Sequence, residues 1–131
     1  MIRLEAFQNT FSGPISGAFS DATPFNLFLP SAIPSVQVVS IGGVAVPPSP
    51  TGSFTVPDIT VNSSSPLPVQ IQAQNVPLGT TVTLFIFSEN GPDQTITSTG
   101  LTGTVANSSA TASVTLPSGF SRGYVKTTWT Q

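Results

Sequence analysis

Glu89 and Asp93 stand four residues apart in the stretch SENGPDQ, and two carboxylates so close in sequence could ligate Ca²⁺ or share acid and base work. The Asn-Gly-Pro-Asp run around them reads as a turn between strands, and a calcium loop supplies more oxygen ligands than this pair offers. A solvated turn is the reading they favour. Asp58, next to Pro57, reads as a charge at a strand edge rather than a ligand. Tyr124 and Trp129 could together form a platform on which a sugar ring stacks, although a Trp on a terminal strand is more often part of a core. Asn62-Ser63-Ser64 and Asn107-Ser108-Ser109 match the acceptor pattern for N-linked sugar, and both read as Ser-rich loops. Ser49 and Thr51, in PPSPTGS, are candidates for O-linked sugar.

Composition removes most other chemistry. The chain of 131 residues has no His and no Cys, so the commonest general base, metal ligand and thiolate nucleophile are missing together, and no disulfide framework is available. No enzyme and no cofactor are expected. Charged residues make up 6%, where ordinary soluble domains have about 25%. Ser and Thr number 36, so the polar surface is hydroxyl-rich rather than ionic, which suits an extracellular, cell-surface setting and covalent glycans. Three Lys and Arg in total cannot build the basic patch that nucleic acid or anionic lipid requires. No apolar run reaches the roughly 18 residues of a membrane-spanning helix, so no membrane insertion is expected. MIRLEAFQNT lacks the continuous apolar segment of a signal peptide, and the expectation is that a leader was removed.

The elements that must carry these residues are strands. Thirteen Pro and eleven Gly fall at short intervals, and between them lie SVQVVSI, GSFTV, DITV, PVQIQA, TTVTLFIF, QTITST, TASVTLP and GYVKTTW. Short β-rich runs at regular spacing predict an all-β sandwich over residues 31 to 131. PVQIQAQ turns Val69, Ile71 and Ala73 to one face and glutamines to the other. In TVTLFIF both faces are apolar, so that strand is expected to be covered on both sides. Val36 to Ile41, Gly42-Gly43, then Val44 to Val46 predicts a hairpin. From Phe54 onward the predicted strands are Phe54 to Val61 with a break at Pro57, Val69 to Gln74, Thr81 to Ser88, Gln94 to Thr99, Ala110 to Leu116, and Gly123 to Thr130.

Six strands are one short of an immunoglobulin-type sandwich. NVPLGTTVTLFIFSENG, with its strand exit, Pro-Leu-Gly turn and central strand, and the ending SGFSRGYVKTTW make residues 54 to 131 resemble the bacterial Ig-like domains of surface and fibre proteins. That resemblance implies an Ig-like antiparallel β-sandwich. In some such domains a buried lysine forms an isopeptide bond to Asn or Asp. Lys126, the only lysine, falls late in the chain where that pattern places it early, and an edge-strand lysine that discourages wrong pairing is the ordinary alternative.

Residues 1 to 30 differ in character. They hold five of the nine Phe and two alternations, Ile2-Leu4-Ala6 and Phe25-Leu27-Leu29, so this arm has apolar surface to bury. The strand GYVKTTWT, with Tyr124 and Trp129, leaves an edge that something must pair. One arrangement answers both needs: the arm of one copy completes the sheet of the next, as in donor-strand pilus subunits, giving a helical homopolymer. The expected function is a structural subunit of an extracellular fibre. The alternative is a monomeric Ig-like carbohydrate-binding or adhesin module whose arm folds back on its own domain.

Overall fold

The computed structural model describes residues 2–5, 19–22, 32–53 and 55–130. The chain divides into two units, Met1–Ser31 and Ala32–Gln131. In the first, β1 (Ile2–Glu5) pairs in parallel with β2 (Phe19–Ala22), Ile2 opposite Phe19 and Leu4 opposite Asp21. Ala6, Phe25, Leu27 and Leu29 lie outside the described residues.

The second unit is all-β, with two antiparallel sheets that do not close into a barrel. The larger sheet contains β3 (Ser35–Ile41), β4 (Val44–Ala45), β5 (Leu67–Gln74), β8 (Thr102–Thr104) and β9 (Asn107–Val114), in the order β4-β3-β5-β9-β8. The smaller contains β6 (Thr81–Ser88), β7 (Gln94–Gly100) and β10 (Ser121–Thr127), in the order β10-β6-β7. The core between them follows directly from period-two alternation. Val69, Ile71 and Ala73 of β5 and Ala110, Ala112 and Val114 of β9 face Val82, Leu84 and Ile86 of β6, and all are buried. Large residues on β5 stand opposite small ones on β9, Ile71 beside Ala110 and Val69 beside Ala112, so side-chain sizes complement each other across the pair.

The glycine hairpin forms as its sequence predicts. Gly42 and Gly43 both take positive φ, 58° and 82°, as the tight turn between β3 and β4 requires. SVQVVSI breaks its alternation after Val38, and a bulge at Val39 restores it, so that Val36, Val38 and Ile41 all turn inward. The sheets exchange chain at Gly100-Leu101, where β7 of the small sheet continues as β8 of the large one. Gly100 is needed there because a β-carbon would come within 3.0 Å of the Gly79 carbonyl oxygen. The short β8 strand was not among the expected ones.

Four expectations need correction. Residues 55 to 61 form no strand. Pro57 cannot donate to a ladder, and Asp58 is no strand-edge charge, because its carboxylate folds back onto the preceding loop. The TVTLFIF strand is not covered on both sides: Phe87 is exposed and Phe85 only partly buried. Asn107 lies at the start of β9 rather than in a Ser-rich loop, and Ser108 beside it is buried with its hydroxyl donating to Ala73 O at 3.3 Å.

Candidate functional site

The two flanks of the sandwich, where the sheets meet edge to edge, are built differently. On one flank β7 lies against β9. Beyond Ser109, β9 has a strand on one side only among the described residues, yet β7 side chains reach its backbone: Thr111 N donates to Thr99 Oγ1 at 3.0 Å, and Gln94 Nε2 donates to Thr115 O at 2.9 Å. Between these bridges runs an open groove of about 620 Å³, walled by Pro66 and Pro68 and edged with Thr and Ser hydroxyls. The inward residues of β9 are all buried. This flank is bridged by its own side chains, with Ile96 of β7 packed against the core and partly buried.

On the other flank β10 lies against β3. β10 pairs with β6 on one side and with no strand on the other among the described residues, and β4 covers β3 only at Ser40 and Ile41. Val36, Val38 and Ile41 of β3, Val125 of β10 and Trp129 all pack against the core while remaining only partly buried. Ile33, just before β3, is 56% exposed. An unpaired edge and a half-covered apolar floor therefore coincide, as where a sandwich lacks a strand.

The outward faces of the two sheets also differ. That of the large sheet carries Gln70, Gln72, Ser109, Thr111 and Ser113. On the small sheet, Tyr124 of β10 stands opposite Phe85 of β6, their rings 4.9 Å apart and 17° from parallel, and Phe87 stacks on Tyr124 at 6.2 Å and 21°. Arg122 and Lys126 fall on the same face at two residues either side of Tyr124, opposite Phe87 and Thr83. Thr95 and Thr97 of β7 border the row in register with Phe85 and Thr83.

No family model, curated protein or solved structure matches the chain. Its surfaces must speak for its chemistry. The structure separates the two members of the expected sugar platform, placing Tyr124 on the outer face and Trp129 against the core. Sequence reasoning missed Phe85 and Phe87 as Tyr124's partners. The available signal was two strands with aromatics at alternate positions, but only the register aligns them.

The carboxylates are spent locally. Glu89 Oε2 accepts a long hydrogen bond from Phe120 N at 3.4 Å, and no cluster of three metal-ligating side chains occurs among the described residues. Asp58 accepts from Thr51 N and Gly52 N at 2.8 and 2.9 Å and from the Thr51 hydroxyl at 2.9 Å. The two backbone N–H groups, with the Thr51 hydroxyl adding to them, hold its carboxyl below the ordinary carboxylate range. Of the sugar-acceptor candidates, Ser49 and Asn62 are exposed in loops. Thr51 has its hydroxyl committed to Asp58, and Asn107 accepts from Gln72 Nε2 at 2.8 Å. Ile2 and Leu4 lie in the parallel β1–β2 pair.

Proposed function

We propose that the chain is a structural subunit of an extracellular, pilus-like filament, in which a strand from the arm of one copy completes the Ig-like sandwich of the next along the β3/β10 flank. The observation that carries this reading is the contrast between the flanks: one is bridged by cross-sheet hydrogen bonds, the other leaves an unbridged edge above Val36, Val38, Val125 and Trp129. An inserted strand would meet both needs there, gaining ladder hydrogen bonds and covering apolar side chains. The arm supplies suitable material. A two-stranded pair is marginal in water by itself, and parallel strands are ordinarily covered on both faces, so β1–β2 gains by joining a larger sheet.

Burying three large side chains at roughly 1.5–3 kcal/mol each would make every junction stable. Because a donated strand and its acceptor groove are different surfaces, the contact does not close on itself and growth continues as a filament. Glycans, where attached, belong on Ser49 and Asn62 rather than Thr51 or Asn107. The test is truncation. Full-length protein should form filaments in electron micrographs, Ala32–Gln131 alone should not, and adding residues 1–31 as a peptide should raise its melting temperature. Filaments of normal appearance from the truncated chain would show that the arm is not the connector.

A further inference from the structure

We propose that the outer face of the three-stranded sheet binds an acidic polysaccharide, seating a uronate-type pyranose against Tyr124, the most exposed ring of the Phe85–Tyr124–Phe87 stack, with its carboxylate toward Lys126. The site lies wholly within Ala32–Gln131 and does not depend on strand donation.

Three observations converge on this ligand. The first is placement. Tyr124 is 55% exposed and Phe87 41%, on a face whose counterpart across the sandwich is filled by Gln, Ser and Thr. Among the described residues the exposed aromatics are Phe87, Tyr124 and Phe120, two of them in this row, and a contiguous apolar patch of this kind marks an interaction site. Aromatic faces carry negative quadrupole charge, and the polarised C–H groups on the flat side of a pyranose ring complement it.

The second is charge. Lys126 lies on this face of β10 two residues from Tyr124, while Arg122, two residues the other way, runs beside Gly52 of the loop that Asp58 ties, with Glu89 bonded to Phe120 just before the strand. Lys126 is therefore the cation this aromatic surface offers, and one charge beside the rings complements an anion that also has an apolar face. The third is hydroxyl density. Thr83, Thr95 and Thr97 adjoin the rings and offer both donors and acceptors to sugar hydroxyls.

Other anions fit less well. An anionic bilayer is held by clusters of about 4–8 basic residues, and nucleic acid gains affinity with each phosphate neutralised, so a single lysine suits neither. A sugar acid asks for one charge per ring and a flat surface beneath it.

Binding can be measured by isothermal titration with polygalacturonate, with its fully methyl-esterified form as the uncharged counterpart and phosphatidylglycerol vesicles as a lipid control. The expected result is binding to polygalacturonate at low salt, about tenfold tighter than to the ester, with little uptake by vesicles. Tyr124→Ala and Phe87→Ala should each weaken it about tenfold. Both residues are exposed, so circular dichroism should stay at the wild-type spectrum. Lys126→Gln should leave binding to the ester unchanged and abolish the preference for the charged polymer. Absence of wild-type binding, equal binding of the two polymers, tighter binding to vesicles, or indifference to the aromatic substitutions would each overturn the assignment.

Discussion

Asp58 shows how a single side chain can replace a strand. Its carboxylate gathers Thr51 N, Gly52 N and the Thr51 hydroxyl, so the loop from Thr51 to Asp58 is tied without a ladder. Since the folded pKa is depressed, the clamp is fully formed above the unfolded value and is lost as pH falls through the folded one. A proton titration followed by NMR should place the Asp58 midpoint below 3.8, with the Thr51 and Gly52 amide signals moving together. Asp58→Asn should speed hydrogen exchange at those two amides and leave β5 and β9 unaffected. Gly42 poses a steric question instead. Its φ is 58°, and a β-carbon would meet Leu67 Cδ2 at 2.7 Å. Gly42→Ala should therefore cost about 1–2 kcal/mol in urea unfolding, the left-handed penalty with some relief from Leu67 turning aside.

At the scale of elements, β5 and β9 were legible because their alternation is clean and each has one wet face. Ile71 is fully buried, and Ile71→Ala should destabilise by about 2–5 kcal/mol, whereas Gln70→Ala next to it should stay within about 0.5 kcal/mol by the same denaturation measurement. β6 was legible as a strand but not in its surroundings, since Val82-Leu84-Ile86 and Phe85-Phe87 are equally apolar and alternation cannot say which face is left open. Phe54 to Val61 misled for a chemical reason. Its β-branched residues favour a strand, but Pro57 removes a donor and Asp58 finds three of its own. The β7–β8 exchange was invisible because QTITSTGLTGT reads as one continuous β-rich run, and only the close approach of Gly100 to Gly79 marks the crossing. The aromatic row depends on pairing between strands distant in sequence, which no local pattern encodes.

For the whole molecule, scarcity of charge is the property that most shapes association. With 6% charged residues there is little for counterions to screen, so assembly along the β3/β10 flank should change little between low salt and 1 M, where the Debye length falls to about 3 Å. Light scattering across that range checks this, and filaments that dissolve at high salt would point to an ionic interface instead. Sugar binding at the aromatic face should behave oppositely and weaken as salt rises, so the two surfaces can be told apart in one titration series.

The pairing of β10 with β6 also sets an order in time. β6 finds β7 next to it in the chain, but its other neighbour is made only after β8 and β9, which belong to the opposite sheet. Such distant pairings are slow to form, typically over milliseconds to seconds in all-β domains. Until they do, Phe85 and Phe87 stand without Tyr124, and neither Lys126 nor Arg122 is in register beside them. The aromatic face thus exists only where β10 has paired with β6, and a chain that has not made that pairing cannot display it.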